Sequence, residues 1–465
     1  MPRPLKFILV PALCAGTILS FSSGFARAAE PAPTPPPANW WDTITVTGLV
    51  ESGITANPEN PPDGLNFGHL FTDKANRPLL NQLDLTIQRP LDPKATGYDF
   101  GFKAQMMYGS DARYTHYLGE FDYAINDWSQ ITPVEAWGVV HTPWLFSGGI
   151  DFKAGQWVTL EGAETIDPTT NYFYSHSYIF NFGIPFVDTG ILAIFHVDPL
   201  VDIYAGLVTG VNTTIGSRGG DNNGAPAFEG GIGLNLLDGN LTILATTHIG
   251  PELPNTFNTF GLPSFDNRIN TALACNCNPN SALRFLNDVT ATWKVNDAFT
   301  LITDINYIHD DGFNTSGYGI AQYAVYKVTD WLSVVGRAEV WRDNGFNSGL
   351  THSGFFVGGF PGNFDFVNAE YGFVNTSFVE TPTTYLELTA GLNISPAVPD
   401  GTPFLKSVTI RPEVRYDTSL NGTTPFDGTG GFFGIPGTIS LAGVPFGTGT
   451  KSSQFTFGTD IIVKF

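Results

Sequence analysis

The stretch that decides the fold is the last one, "QFTFGTDIIVKF" at residues 454–465, which stops on an aromatic residue with no polar tail behind it. Read in steps of two, Phe455, Phe457, Thr459, Ile461, Val463 and Phe465 share one face, and Gln454, Thr456, Gly458, Asp460, Ile462 and Lys464 share the other. That is a period-2 strand with one apolar and one mostly polar face. In a soluble sandwich the apolar face would meet a second sheet. In a transmembrane barrel it would meet lipid, and the polar face would meet a watery lumen.

The same alternation recurs through the chain. It begins at Thr43–Thr55, where Ile44, Val46, Val50 and Ile54 oppose Thr45, Thr47, Glu51 and Thr55, and continues at 82–88 and 98–108. Further strands are expected near 131–141, 150–159, 187–197, 200–209, 226–236, 241–249, 284–295, 299–308, 318–328, 332–343, 384–394, 405–417 and 454–465. The count is about 16, an even number inside the range of single-chain outer-membrane barrels.

The connections between these runs alternate in length. Tight turns at "VDPL" (197–200), "LDGN" (237–240), "VNDA" (295–298) and "VTDW" (328–331) carry the Asp, Asn, Gly and Pro that turns require. Long segments rich in Gly, Asn and Pro stand at 56–79, 109–130, 160–186, 210–225, 250–283, 344–383 and 418–453. Short periplasmic turns and long extracellular loops are the layout of an outer-membrane barrel. The expectation is therefore all-β: a transmembrane antiparallel β-barrel over 43–465. Trp144, Trp157, Trp293 and Trp331 near strand ends suit its interfacial girdles.

The N-terminus agrees with export. Arg3 and Lys6 precede an apolar run from Phe7 to Phe21, and Ala26-Arg27-Ala28 has the small-x-small form of a cleavage site. Residues 1–28 thus read as a signal peptide, and 29–42, with "PAPTPPPA", as a Pro-rich periplasmic segment. Beyond the signal no apolar run approaches the roughly 20 residues of a spanning helix.

Composition fits the same class, with 52 Gly, 38 Phe and 14% aromatic residues against only 14% charged. Removing Arg3, Lys6 and Arg27 with the signal takes the net charge from −21 to −24, which argues against nucleic acid as a partner. Cys275 and Cys277 in "ACNCNP" are read as a loop disulfide or two idle thiols, since no histidine stands near them to complete a metal site. No cofactor is expected.

Three stretches resemble the putative beta-barrel porin-2 family of Gram-negative outer-membrane proteins. They are "FKAGQWVTLEGAETIDPTTNYFYSHSYIFNFGIPFVDTGILAIF" (152–195), "VTDWLSVVGRAEVWRDNG" (328–345) and "SVTIRPEVRYDTSL" (407–420). With the strand-like ends, the resemblance covers most of the mature chain, Ala163 being a departure where the family carries a bulkier aromatic. It implies a closed barrel in outer-membrane lipid that passes small hydrophilic solutes or ions. It also implies that the terminal strand, with Phe465, is the signal read by the barrel assembly machinery. A homotrimer and a monomer both remain open.

The charges of the resembling strands fall on the inward face. In 332–343, Arg337, Glu339 and Asp343 point in; in 407–417, Arg411, Glu413, Arg415 and Asp417 do so. Facing lipid, an Arg or Lys at the midplane would cost about 2–4 kcal/mol. The inward charges are either rings that set the pore's transverse field or a ladder of cross-strand pairs. Lys103 and Lys153 join Glu51, Asp84, Asp202, Glu229, Asp288, Asp304 and Glu387 as further inward charges, an acid majority that suggests a modest cation preference. The long 160–186 segment is the candidate constriction. Its Glu161 and Glu164 would line the pore, unless the segment packs on the wall or caps the mouth.

Other classes fare less well. A hydrolase needs a nucleophile with His and an acid in reach, and the chain has no G-x-S-x-G, while His176, His196 and His309 are scattered without metal spacing. An adhesin or binding barrel would rely on the long loops and leave the charged interior without a purpose.

Overall fold

The computed structural model describes residues 40–93, 95–121, 128–215, 224–253, 256–258, 268–270, 275–347, 352–353, 382–399, 401–402, 404–428 and 449–465. The expected export signal and the Pro-rich residues through Ala38 lie outside them. Trp40–Thr43 form a short 3-10 turn leading into the first strand.

Sixteen antiparallel strands close into one barrel, each paired with its sequence neighbours. They are β1 Thr45–Ala56, β2 Pro78–Arg89, β3 Asp99–Gly109, β4 Gln130–Thr142, β5 Ile150–Val158, β6 Val187–Asp198, β7 Val201–Val208 and β8 Ala227–Leu236. The second half is β9 Leu241–Pro251, β10 Leu283–Lys294, β11 Phe299–Asp310, β12 Thr315–Lys327, β13 Leu332–Asp343, β14 Thr383–Ile394, β15 Ser407–Ser419 and β16 Ser453–Lys464. Every strand expected from the alternation is present, with ends shifted by a few residues.

Closure is made by the two ends of the chain. β16 pairs with β1 from Phe457↔Ala56 to Lys464↔Leu49. Phe465 then exchanges two backbone hydrogen bonds with Gly48, at 2.8 and 2.9 Å. A barrel has no free edge, so β16 satisfies the open side of β1. Phe455, Phe457, Ile461 and Phe465 are exposed on the outside, whereas Gln454, Thr456 and Asp460 are buried inside.

Irregularities in the ladder have local causes. The β1–β2 register shifts at Glu51/Ser52, where Asn81 is the extra residue, and the β3–β4 register shifts at Gln105/Met106, where Val134 is. Each bulge turns two consecutive residues inward, Asn81 with Gln82 and Val134 with Glu135, and all four are buried. Pro412, which has no N–H to give, interrupts the β14–β15 ladder between the pairs Gly391↔Glu413 and Ile394↔Ile410.

The four tight turns form as expected. Connections on the opposite rim are long, except Asp311–Asn314 between β11 and β12. Of the four tryptophans expected in the girdles, Trp144, Trp293 and Trp331 are exposed on the outside. Trp157 is not: it is fully buried and its indole N–H donates to Glu229 at 3.3 Å. It sits on the inward phase of β5, and strand phase outranks nearness to a strand end. Cys275 and Cys277 form a disulfide across a Cα separation of 5.1 Å.

Candidate functional site

The 159–186 connection does not stand above the barrel. It leaves β5, runs inside the lumen along the wall from β10 round to β2, and returns to β6. Its backbone has little regular structure, with a 3-10 turn at Pro168–Thr170 and one wide helical turn at Ile179–Gly183. Amides and carbonyls in such a path need outside partners, because burying them unpaired is costly.

The inward charges of the wall supply those partners. Asp288 on β10 accepts from the Gly162 amide at 3.1 Å, and Asp304 on β11 from the Ala163 amide at 2.9 Å. Glu339 on β13 accepts from the amides of Tyr178 and Ile179 at 2.6 and 2.8 Å. Glu413 on β15 accepts from those of Tyr174 and Ser175, at 2.9 and 3.1 Å. The arginines take the carbonyls: Arg337 donates to Ser175 at 2.9 Å, Arg411 to Pro168 and Asn171 at 2.8 Å each, and Arg415 to His176 at 2.5 Å.

Each arginine is neutralised at the same time. Arg337 lies between Glu387 and Glu164, Arg411 between Asp460 and Glu51, and Arg415 pairs with Asp417. Asp417 also meets His69, a ring that burial and the nearby Arg415 lower to about 4. Buried ion pairs of this kind are tolerated because hydrogen bonds satisfy their remaining atoms. The alternation Arg-x-Glu on β13 and Arg-x-Glu-x-Arg-x-Asp on β15 is thus a template for the strap's own alternation of N–H and C=O groups.

Glu164 therefore joins the clamp, its second oxygen accepting from the Ser177 amide at 2.8 Å. Glu161 differs. Its carboxylate is buried with no hydrogen-bond partner on either oxygen, and burial with the nearby Asp288 pushes it well above the usual carboxylate range. Lys103 and Lys153 stand apart on the β3–β5 wall. Lys103 pairs with Glu135, and the Lys153 ammonium lies 4.7 Å from the Trp137 ring and 5.3 Å from that of Trp157.

Two other loops fold inward, which the alternation did not reveal. Phe67 and Phe71 from the β1–β2 loop pack with Tyr114 from the β3–β4 loop, with Tyr178, Phe180 and Phe186 of the strap, and with Tyr385 and Phe426. Ring centres lie 5.4 Å apart for Phe71–Phe180 and 4.8 Å for Tyr178–Tyr385. The two loops are also tied by a buried bidentate pair, Arg113 to Asp73, at 2.8 and 3.0 Å. The only sequence sign of this core was the density of aromatics in segments otherwise rich in Gly, Asn and Pro.

What the strap leaves open is a cavity of about 700 Å³ in the periplasmic half, between strap residues 160–172 and the wall of β7–β12. Turn residues Asn240 and Asn296–Ala298 border it, which places its mouth at the periplasmic rim. Among the described residues its charged lining is Asp202, Lys294, Asp297 and Lys327. Of the acids counted from sequence as inward, Asp202 alone borders this space. Glu51, Asp84, Glu229, Asp288, Asp304 and Glu387 also point inward and are buried, as Asp202 is, but none of them borders the cavity.

Residues 43–465 match the family described as putative beta-barrel porin-2, OmpL-like. No curated protein matches the chain. Among solved structures, OprB of Pseudomonas putida aligns at 13% identity over 91% of this chain and 94% of its own, with a TM-score of 0.51. An anion-selective porin from Comamonas acidovorans aligns at 9% identity over 91% and 99%, with a TM-score of 0.50. The outer membrane channel DcaP of Acinetobacter baumannii aligns at 11% identity over 91% and 97%, with a TM-score of 0.48. At such identities the likeness is one of fold.

Proposed function

The chain belongs to the putative beta-barrel porin-2 family of the Gram-negative outer membrane, and from that premise we propose that it is a water-filled channel for passive diffusion of small hydrophilic solutes. The observation that carries the reading is the strap. Wall charges hold it against one side of the lumen, and a space of about 700 Å³ on the other side, lined by threonines, tyrosines and aliphatic residues, is left for solute. A segment fixed inside a barrel narrows the passage without changing the wall, which is how a wide barrel acquires a size limit.

The cation preference suggested by the acid count has weaker support than the count implied. Most of those carboxylates accept hydrogen bonds or pair with arginine behind the strap, where they present no field to a hydrated ion. The space itself is bordered by two acids and two lysines. The reading is therefore a channel of weak ion selectivity. In the same reading Phe465 is the assembly signal for the barrel machinery.

The test is a planar-bilayer recording of the refolded mature chain under a KCl gradient. Stepwise ohmic conductance with a reversal potential near zero supports the channel, and a strongly cation- or anion-leaning reversal replaces the balanced vestibule as its selective element. A second reading, a binding barrel with a plugged lumen, is favoured by the aromatic cluster that fills the extracellular half. Silent bilayers from correctly folded, heat-modifiable barrels would select it.

A further inference from the structure

The vestibule has a chemistry that charge counting passes over. On its wall Thr242 of β9 is the register partner of Thr292 of β10, Thr290 follows two residues along the same strand face, and Thr300 stands on β11. Among the described residues, none of these four hydroxyls has a hydrogen-bond partner, and all border the open space. β8 contributes Gly233, over which the Tyr204 ring lies, a Cβ there meeting it at 3.4 Å. Two tyrosines border the same space from opposite sides, Tyr204 from β7 and Tyr172 from the strap.

Two of the four charges around this terrace are already engaged. Asp202 accepts from His196 at 2.7 Å, and Lys327 pairs with Asp330 at 2.7 Å. Lys294 and Asp297 are exposed at the rim turn, outside the terrace itself. What remains for a solute is a set of hydroxyls, each able both to donate and to accept, beside amphipathic aromatic rings. Inward of that turn, at the terrace, a carboxylate or ammonium would lose water without gaining an opposite charge. A polyol loses hydrogen bonds to water and regains them in either direction. The volume lies within the range of small-molecule sites, roughly 300–1,000 Å³.

We infer that the vestibule favours neutral polyhydroxylated solutes of sugar size over ions of the same size, an inference that rests on the channel reading above. The hydroxyl terrace of β9–β11 is the selecting surface, and the strap sets the width in front of it.

The experiment is swelling of proteoliposomes carrying the full mature protein in glucose, gluconate and glucosamine, which match in size and differ in charge. The expected result is glucose entering several-fold faster than either ion. The double variant Thr290→Val with Thr292→Val should lower the glucose-to-gluconate ratio about three-fold or more, as loss of one or two hydrogen bonds would. Thr290→Ser with Thr292→Ser, which keeps the hydroxyls, should retain it and shows that the wall still folds. Equal rates for the three solutes in the wild type, or a ratio unmoved by the valines, would overturn the inference and leave the channel standing. No entry by any solute, together with no KCl conductance from folded barrels, would overturn both.

Discussion

One sector of the lumen, β13–β15, and another, β7–β11, are built from the same strand alternation, yet their interiors are opposites. In the first, Arg337, Glu339, Arg411, Glu413 and Arg415 are buried against the strap's backbone. In the second, Asp288 and Asp304 still hold the start of the strap, but toward the periplasmic rim glycine and threonine at inward positions leave open space. An inward charge is therefore not by itself a pore-lining charge. Long charged side chains reach across the lumen and fix a segment there, whereas short hydroxylic ones stay on the wall and leave room for solute.

The comparison breaks most completely if the clamp is cut at Arg411. Arg411→Ala strands Asp460 and Glu51 as buried charges without their cation and frees two strap carbonyls. Breaking a buried pair from one side costs about 3–5 kcal/mol. The expected outcome is a lower heat-modification midpoint and rapid proteolysis near Pro168–Tyr172, with larger single-channel conductance. Wild-type resistance to protease in this variant would show that the strap holds without its arginine.

Glu413→Gln is a milder cut. The amide keeps the shape but loses the charge, and its NH2 replaces one of the two oxygens that accept from Tyr174 and Ser175, bonds each worth about 1.5–3 kcal/mol when charged. Amide exchange at those two positions should accelerate by one to two orders of magnitude while β15 itself stays protected. Uniform acceleration along the strand would instead mean that the wall, not the strap, depends on Glu413.

A third effect comes from Glu161, whose carboxyl is held well above its ordinary value by burial and the nearby Asp288. In the docked strap it keeps a proton that the undocked strap gives up near pH 4.5. Docking is therefore fully favoured below that value and weakens as pH rises toward the docked pKa. Conductance should accordingly increase on the alkaline side, and Glu161→Gln should flatten that dependence. A profile unchanged by Glu161→Gln would assign it to another group. His69 works in the other direction. Neutral in the folded chain down to about pH 4, it lowers folded stability as pH falls from about 6.5 toward 4, because the unfolded ring takes up a proton first.

The smallest expected change sharpens the open sector. Lys294→Gln with Lys327→Gln removes the positive charges from the vestibule lining and should move the reversal potential a few millivolts toward cations, leaving thermal stability within about 0.5 kcal/mol of wild type. The same potential in both proteins would exclude the vestibule as the place where ions feel the pore.

Much of this molecule was legible from one-dimensional pattern. Phe455 and Phe457 face out, Gln454 and Asp460 face in, and the expected strands all form, because a strand's two faces are fixed by alternation alone. The inward direction of Arg337 and Arg411 was legible on the same grounds. Their full set of partners was not. Read along the chain, these arginines offered a field across a pore or a ladder between strands; the cross-strand pairs do form, Arg411 with its register partner Asp460 and Arg337 with Glu387 of the next strand, but the same side chains also grip a loop, which neither reading described. Trp157 failed for a related reason, since nearness to a strand end was given more weight than phase.

The sequence by itself determined the strands and the side of the wall each residue takes, since both follow from local periodicity, and its family resemblance implied the closure that leaves no free edge in lipid. Only the tertiary structure decided which inward groups meet water. Arg337 and Glu164 are 173 positions apart, and Arg411 and Pro168 are 243 apart. The strap that joins them has no period to betray its path. Its course is set by where unpaired backbone groups find charge, and that match exists only once the barrel has closed around it.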